Sequence, residues 1–338
     1  MAFEIFVATL AAVLGAGFAS GREVWVFFGA HGRWALGLGI AAALLLGAAA
    51  WRTAVRAARG PDPLTTLFGA YRPLARFMLS LFSLLTFAAV LAVLGSLASA
   101  YWHVGHAPAS LGAALAAAAL GAAGTVRQRR LQGMLLLAVL LSGTVASLLA
   151  FAQPPAPVAP TALDWRAVLG IFGFVAYNIA LATDGIARSA ASGNGRGALG
   201  GAIGGLMAGL LLTLEAAALA RHGALVAHSD LPLVTLTATI HGALGGVAAA
   251  TVLLAGLSAA SSFAVAAGSL LGGPWIAAVV AFALSLFGVQ GIVDRGYPLM
   301  AAVAGAWLIV LFFEPPWRRP RQGRLRWGGD DAHSCKGR

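Results

Sequence analysis

Arg22 and Glu23 stand side by side within residues 4–29, an apolar stretch of the chain. About 20 apolar residues suffice to cross a bilayer. Charge inside such a stretch is costly, usually faces a cavity, and marks a path for an ion or solute. As a functional carboxylate, Glu23 sets the charge of a site and disfavours a lone anion unless Arg22 compensates. The residues just before this pair, Gly15-Ala16-Gly17-Phe18-Ala19-Ser20-Gly21, form a poor helix, because each glycine costs about 1 kcal/mol against alanine. Freed backbone groups find no water in lipid, so a break here must be buried in protein or line a cavity. The other reading of the glycines is a close-packing seam between helices. Ser20-Gly21-Arg22-Glu23 spells S-x-x-E, a capping box that would start a new helix. Half-helices over 4–15 and 21–29 follow.

A second group of polar residues lies in segment 165–188: Tyr177, Asn178, Thr183, Asp184 and Gly185. They fit a second break, with Asp184 near a helix start where the dipole favours an anion. An Asp184–Arg188 pair at i, i+4 near the interface is the compatible alternative. Glu215 lies inside 197–221, either within the membrane or facing outer water beside Arg221 and His222. Ser258, Ser261 and Ser262 sit in 243–268; serines there often bond back to their own helix. No paired intramembrane aspartates and no Ser/His pair in one plane are present, so an enzyme is not expected. Six of the seven histidines fall on one predicted side; scattered loop histidines account for them better than a zinc site. Gly195-Arg-Gly197-Ala-Leu-Gly200 is formally G-x-G-x-x-G, but no strand precedes it, so no dinucleotide site is expected.

The elements that must position these residues are transmembrane helices. The chain is 338 residues long, 60% hydrophobic and 10% charged, which excludes an ordinary soluble domain. The single cysteine, Cys335, excludes an intramolecular disulfide framework. The opening Met-Ala-Phe-Glu lacks a basic n-region, so a cleaved signal is not expected. Apolar segments cover about 4–29, 34–53, 76–102, 107–124, 131–151, 165–188, 197–221, 243–268, 274–290 and 294–313, ten spans in all. With the N-terminus inside, most of the 22 basic residues fall in cytoplasmic connections and the tail, as the positive-inside rule requires. The net charge of +11 therefore belongs to membrane topology and not to nucleic acid. The basic tail, 314–338, is expected to be disordered and to lie against anionic headgroups.

The proline-rich stretch 153–160 divides the apolar region, 1–313, into 4–151 and 165–313, with five spans in each. An odd number per half inverts the second half, the layout of an inverted repeat. Helix 7 carries Gly197, Gly201, Gly205 and Gly209 at spacing four, a tight packing face. Residues 231–241 are too short to span and read as a short surface helix or re-entrant lid.

The segment GAGFASGREVWVFFGAHG, with the Tyr177-Asn178 pair, resembles the YkvI-like bacterial membrane proteins of the amino acid–polyamine–organocation superfamily. Arg22 departs from that pattern, where glutamine is more usual. The resemblance covers about 3–313. It implies the LeuT-type fold, all-α with ten transmembrane helices as two inverted five-helix repeats, helices 1 and 6 discontinuous. It also implies a multi-pass protein of the bacterial cytoplasmic membrane that moves a small solute, an amino acid or amine, by alternating access. The alternative is a ligand-sensing or complex-forming subunit on the same fold. The substrate site expected from residues and resemblance together comprises Gly15, Ala16, Gly17, Phe18, Ser20, Gly21, Glu23, Tyr177, Asn178 and Asp184. For the coupling ion, proton-coupled relatives can use a membrane lysine, and the one lysine here is Lys336 in the tail. Na⁺ is the expectation, held by backbone oxygens around Ala16 and Ala19 and by the neighbouring hydroxyls Ser261 and Ser262. A proton on Glu23 or Asp184 is the competing model. Solute identity and oligomeric state are not read from these residues.

Overall fold

The computed structural model describes residues 2–14, 16–58, 67–156, 163, 165–191 and 196–312. Among them there are helices and no strands. The first apolar segment is a broken helix: α1 (Ala2–Val13), a single turn α2 (Ala16–Ser20) and α3 (Arg22–Phe27). A 3₁₀ turn over Gly29–Trp34 leads into α4 (Ala35–Ala57). Then come α5 (Arg72–Trp102), α6 (His106–Ala122) and α7 (Thr125–Phe151). The second half holds α8 (Trp165–Ala191), α9 (Arg196–Arg221), a short α10 (Pro232–Ile240) and α11 (Gly242–Leu271). The described residues close with α12 (Pro274–Ser285) and α13 (Tyr297–Phe312), with a π-helical turn, Ile292–Gly296, leading into α13.

Each expected apolar segment is helical, yet the ten-span layout is not reproduced span for span. Among the described residues, four helical stretches are individually long and apolar enough to cross a membrane: Gly29–Ala57, Arg72–Trp102, Ala198–Arg221 and Gly242–Leu271. The segment expected over 274–290 stops at Ser285, and the chain bends by 100° before the next helix. Twelve residues rise about 18 Å, well short of a hydrocarbon core about 30 Å thick. Gly288, at φ +75°, supplies the turn that an L side chain would resist.

The glycine ladder of α9 is a packing face. A Cβ on Gly201 would meet the Ala50 carbonyl at 3.1 Å, and one on Gly205 the Leu46 carbonyl at 2.6 Å. One on Gly209 would collide with the Ala43 backbone. Bare backbone therefore lets α4 and α9 approach along their length, and dispersion contacts replace a hydrophobic drive that lipid cannot supply. This pair fixes the wall against which α1 and α3 lie.

Candidate functional site

The break in the first helix is real, but its form differs from the expectation. Residues 16–20 are not fully unwound; they make the helical turn α2. Gly21 follows in the left-handed region, φ +80° and ψ −2°, and serves as N-cap of α3. A Cβ there would sit 2.8 Å from the Leu233 amide nitrogen of α10, so conformation and space both require glycine. The capping box does not form: α3 has no side-chain cap bond. Ser20 Oγ accepts from the Arg22 amide at 3.3 Å, and Glu23 points elsewhere. The carbonyl of Phe18 accepts from the Gly21 amide at 2.9 Å. Gly15 lies outside the described residues.

Glu23 is buried, and its Oε2 accepts the Tyr177 hydroxyl at 2.8 Å. This bond ties α3 to α8 across 154 residues of sequence and brings together two of the expected site residues. Around it stands an aromatic wall. Phe174 packs edge-on against Phe27, Phe28 and Tyr177, with ring centroids 5.5, 5.0 and 5.5 Å away. Tyr297, from the start of α13, packs against Tyr177 with ring centroids 5.3 Å apart and planes tilted by 58°. The Tyr297 hydroxyl lies near the same carboxylate and near Thr86 of α5. It makes no hydrogen bond of normal geometry, and neither does Thr86 Oγ1, although both are buried. Two buried polar atoms without partners beside a carboxylate leave hydrogen-bonding capacity there for a ligand.

Arg22, the other charge of the pair, does not face Glu23's carboxylate. Its Nη2 donates to both Asp294 oxygens, at 2.9 and 2.6 Å, a bidentate pair. Its Nη1 donates to the Ala227 and Ser229 carbonyls, 3.2 Å each. Arg22 is 6% exposed and Asp294 39%, so the bridge lies between the buried site and solvent. Asp294 sits in the π-helical turn, a local departure common at functional positions. The guanidinium is paired with Asp294, so Glu23 stands in the enclosure with a phenol and not a cation as its partner.

Helix α8 corrects the expectation of a second break: it is continuous from Trp165 to Ala191. The polar side chains that suggested a break bond within the helix. Asn178 Nδ2 donates to the Phe174 carbonyl at 2.9 Å, and Thr183 Oγ1 to that of Ile179 at 2.7 Å. Asn178 thus adjoins the site without facing it through its amide. Asp184 has helical backbone, but its side chain lies outside what is described. Helix α11 does pack on α2, as an ion site shared by the two would require. Ser261 and Ser262 both donate to the Ser258 carbonyl, at 2.7 and 3.3 Å. The buried hydroxyl of Ser258 has no hydrogen-bond partner among the described residues. Ala16 and Ala19 lie on α2, and Ala19 is buried. The described residues hold no group of three His, Cys, Asp or Glu able to grip a metal ion. Asp294, Tyr297 and Thr86 are the members that sequence reasoning missed. Asp294 is one of only 11 acidic residues, the one signal that could have pointed to a partner for Arg22.

No family model matches the sequence, and no curated protein matches it. Among solved structures the chain is similar to a manganese transporter of Eremococcus coleocola, crystallised with an aromatic bis-isothiourea compound. The match has a TM-score of 0.55 at 13% identity and covers 92% of this chain and 78% of that one. The fold is that of a membrane transporter, and the protein is a multi-pass membrane protein.

Proposed function

We propose that the protein is a secondary transporter of a small solute bearing an amino group, an amine or an amino acid, working by alternating access. The observation that carries this reading is the buried Glu23 carboxylate at the helix break, held by Tyr177 within an aromatic enclosure. One anion ringed by aromatic faces suits an ammonium group, which gains from both the charge and the ring quadrupoles. The unpartnered hydroxyls of Thr86 and Tyr297 supply polar contacts for the rest of the solute. Manganese, the cargo named for the structural neighbour, fits less well. A hard divalent ion wants several oxygen ligands in octahedral array, and this enclosure offers one carboxylate. The Arg22–Asp294 bridge, anchored to the carbonyls of Ala227 and Ser229, acts as the closure on the solvent side.

The narrower assignments follow the sequence. They are a YkvI-like member of the amino acid–polyamine–organocation superfamily and residence in the bacterial cytoplasmic membrane with both termini inside. The basic tail lies against anionic lipid, and Na⁺ is the coupling ion. Ser261 and Ser262 bond the Ser258 carbonyl of their own helix, and the buried Ser258 hydroxyl beside them, without a partner among the described residues, is the nearest oxygen for a cation. A thermal-shift screen of the purified protein against amines, amino acids and small organic acids, with and without Na⁺, tests the reading. Stabilisation by amines or amino acids that vanishes in Glu23→Gln is expected. Stabilisation only by organic acids, or one indifferent to Glu23→Gln, would remove the amine assignment.

A further inference from the structure

Among the described residues, Glu215 is a second buried acidic side chain, apart from the Glu23 site. It lies on α9 with no exposed surface, and neither carboxyl oxygen has a hydrogen-bond donor among the described residues. The carboxyl fits a recess made by Gly143 of α7, where a Cβ would strike Glu215 Oε1. Seven residues on, His222 is also buried, and its Nε2 bonds the Ala150 carbonyl at 2.8 Å. Both contacts join residues 72 apart in number, 143 to 215 and 150 to 222, so α7 and α9 run parallel along one seam. Seven residues rise about 10 Å. Between these two contacts on α7 lies Ser147, within about 60° of both Gly143 and Ala150 around a 3.6-residue helix. Its hydroxyl is buried and has no hydrogen-bond partner among the described residues. The seam thus carries imidazole, hydroxyl and carboxyl in order from the C-terminal end of α7 inward.

The charged groups on neighbouring elements are otherwise engaged. Arg22 bonds Asp294 and Glu23 bonds Tyr177. Arg52 of α4 donates to the Phe312 carbonyl, and Arg221 to that of Gln153. His31 and Arg33 stand in the 3₁₀ turn and Arg56 on α4, and none forms an ion pair with Glu215 within 4 Å. An isolated carboxylate in such surroundings is too expensive to persist unpaired, and among the described residues Glu215 belongs to no group of three His, Cys, Asp or Glu that could hold a metal ion.

We infer that Glu215 is a proton-carrying site of the transport cycle, loaded from the outer side along the α7–α9 seam through His222 and Ser147. One proton adds to the carboxylate to give the neutral acid and leaves to the opposite side when the seam opens there; no electrons move. This rests on the transporter reading, and it names a proton site separate from the solute enclosure and from the Na⁺ position.

The test has a ligand-free arm and a transport arm, both on the full chain. Infrared difference spectra of the purified protein between acid and alkaline pH should show a carboxylic C=O band. That band should disappear in Glu215→Gln and move in Glu215→Asp, which serves if the glutamine variant does not fold. A band present at every pH, or one unchanged in both variants, overturns the proposal. In proteoliposomes with equal Na⁺ on both sides and the potential clamped, radiolabelled ethanolamine and alanine are the probes. One proton per solute gives about tenfold accumulation for each unit of pH gradient. Glu215→Gln should keep exchange of the probe and fall to no accumulation. Equal accumulation in both proteins overturns the proposal. If neither probe enters with the wild type, the transporter reading is what fails for those probes, and the infrared arm still decides Glu215.

Discussion

Asp294→Asn isolates the closure over the site. The substitution keeps the shape of the side chain and removes its charge, so Arg22 loses a bidentate partner and keeps only the carbonyls of Ala227 and Ser229. Breaking a fully buried pair costs about 3–5 kcal/mol, whereas an exposed pair is worth about 0–1 kcal/mol. This bridge is intermediate, with Arg22 at 6% and Asp294 at 39% exposure. Screening on the Asp294 side brings the expected cost to about 1.5–3 kcal/mol. That raises the population in which α3 and the 227–231 segment part by about ten- to hundredfold. Amide hydrogen exchange read by mass spectrometry needs no ligand and reports this opening directly. Peptides over 21–28 and 226–232 should exchange about ten- to hundredfold faster in the variant. Peptides over 39–50, where α4 packs on the glycine face of α9, should not change. Equal exchange in both proteins would refute the closure, and faster exchange everywhere would show general destabilisation instead.

Two further substitutions test the helix break and the carboxylate. Gly21→Ala must place a Cβ at φ +80° and 2.8 Å from Leu233 N; it should lose at least about 2 kcal/mol in thermal unfolding. Gly246→Ala in α11, which meets nothing within 4 Å, should be neutral or slightly stabilising. Tyr177→Phe keeps the ring contacts with Phe174 and Tyr297 but removes the hydroxyl from Glu23. A hydrogen bond to a charged group contributes about 1.5–3 kcal/mol, so binding of whichever amine gives the largest thermal shift should weaken about tenfold or more, measured by calorimetry.

What could be read from the chain depended on whether its cause was local. Gly21 and its glycine neighbours break a helix by their own backbone freedom, so the interruption of the first segment was legible. So was the glycine face of α9, because spacing four repeats along one side. Glu23 stood out from charge in an apolar stretch and Tyr177 through the family resemblance, and the structure joins the two by a hydrogen bond. The second break was not there to be read. Asn178 and Thr183 bond to carbonyls four residues back, and composition does not distinguish a helix that absorbs its polar groups from one that opens at them. The capping box failed for a tertiary reason: Glu23 finds a phenol on α8 and Gly21 takes the cap. Asp294 is 272 residues from Arg22, and no spacing rule reaches that far. Tyr297 and Thr86 are ordinary residues for apolar segments, and only packing puts them beside the carboxylate. The 100° bend after Ser285 turns on one glycine, too slight a signal to shorten an apolar run.

On the proposed function, the buried Glu23 carboxylate at the helix break selects a solute with an amino group, which the protein moves across the membrane. Uptake of radiolabelled ethanolamine, alanine and acetate into proteoliposomes, wild type beside Glu23→Gln, tests it most directly. Saturable uptake of ethanolamine or alanine, none of acetate, and loss of uptake in a Glu23→Gln protein of unchanged thermal stability is the predicted result. Uptake of acetate alone, or amine uptake that survives Glu23→Gln, would contradict the account.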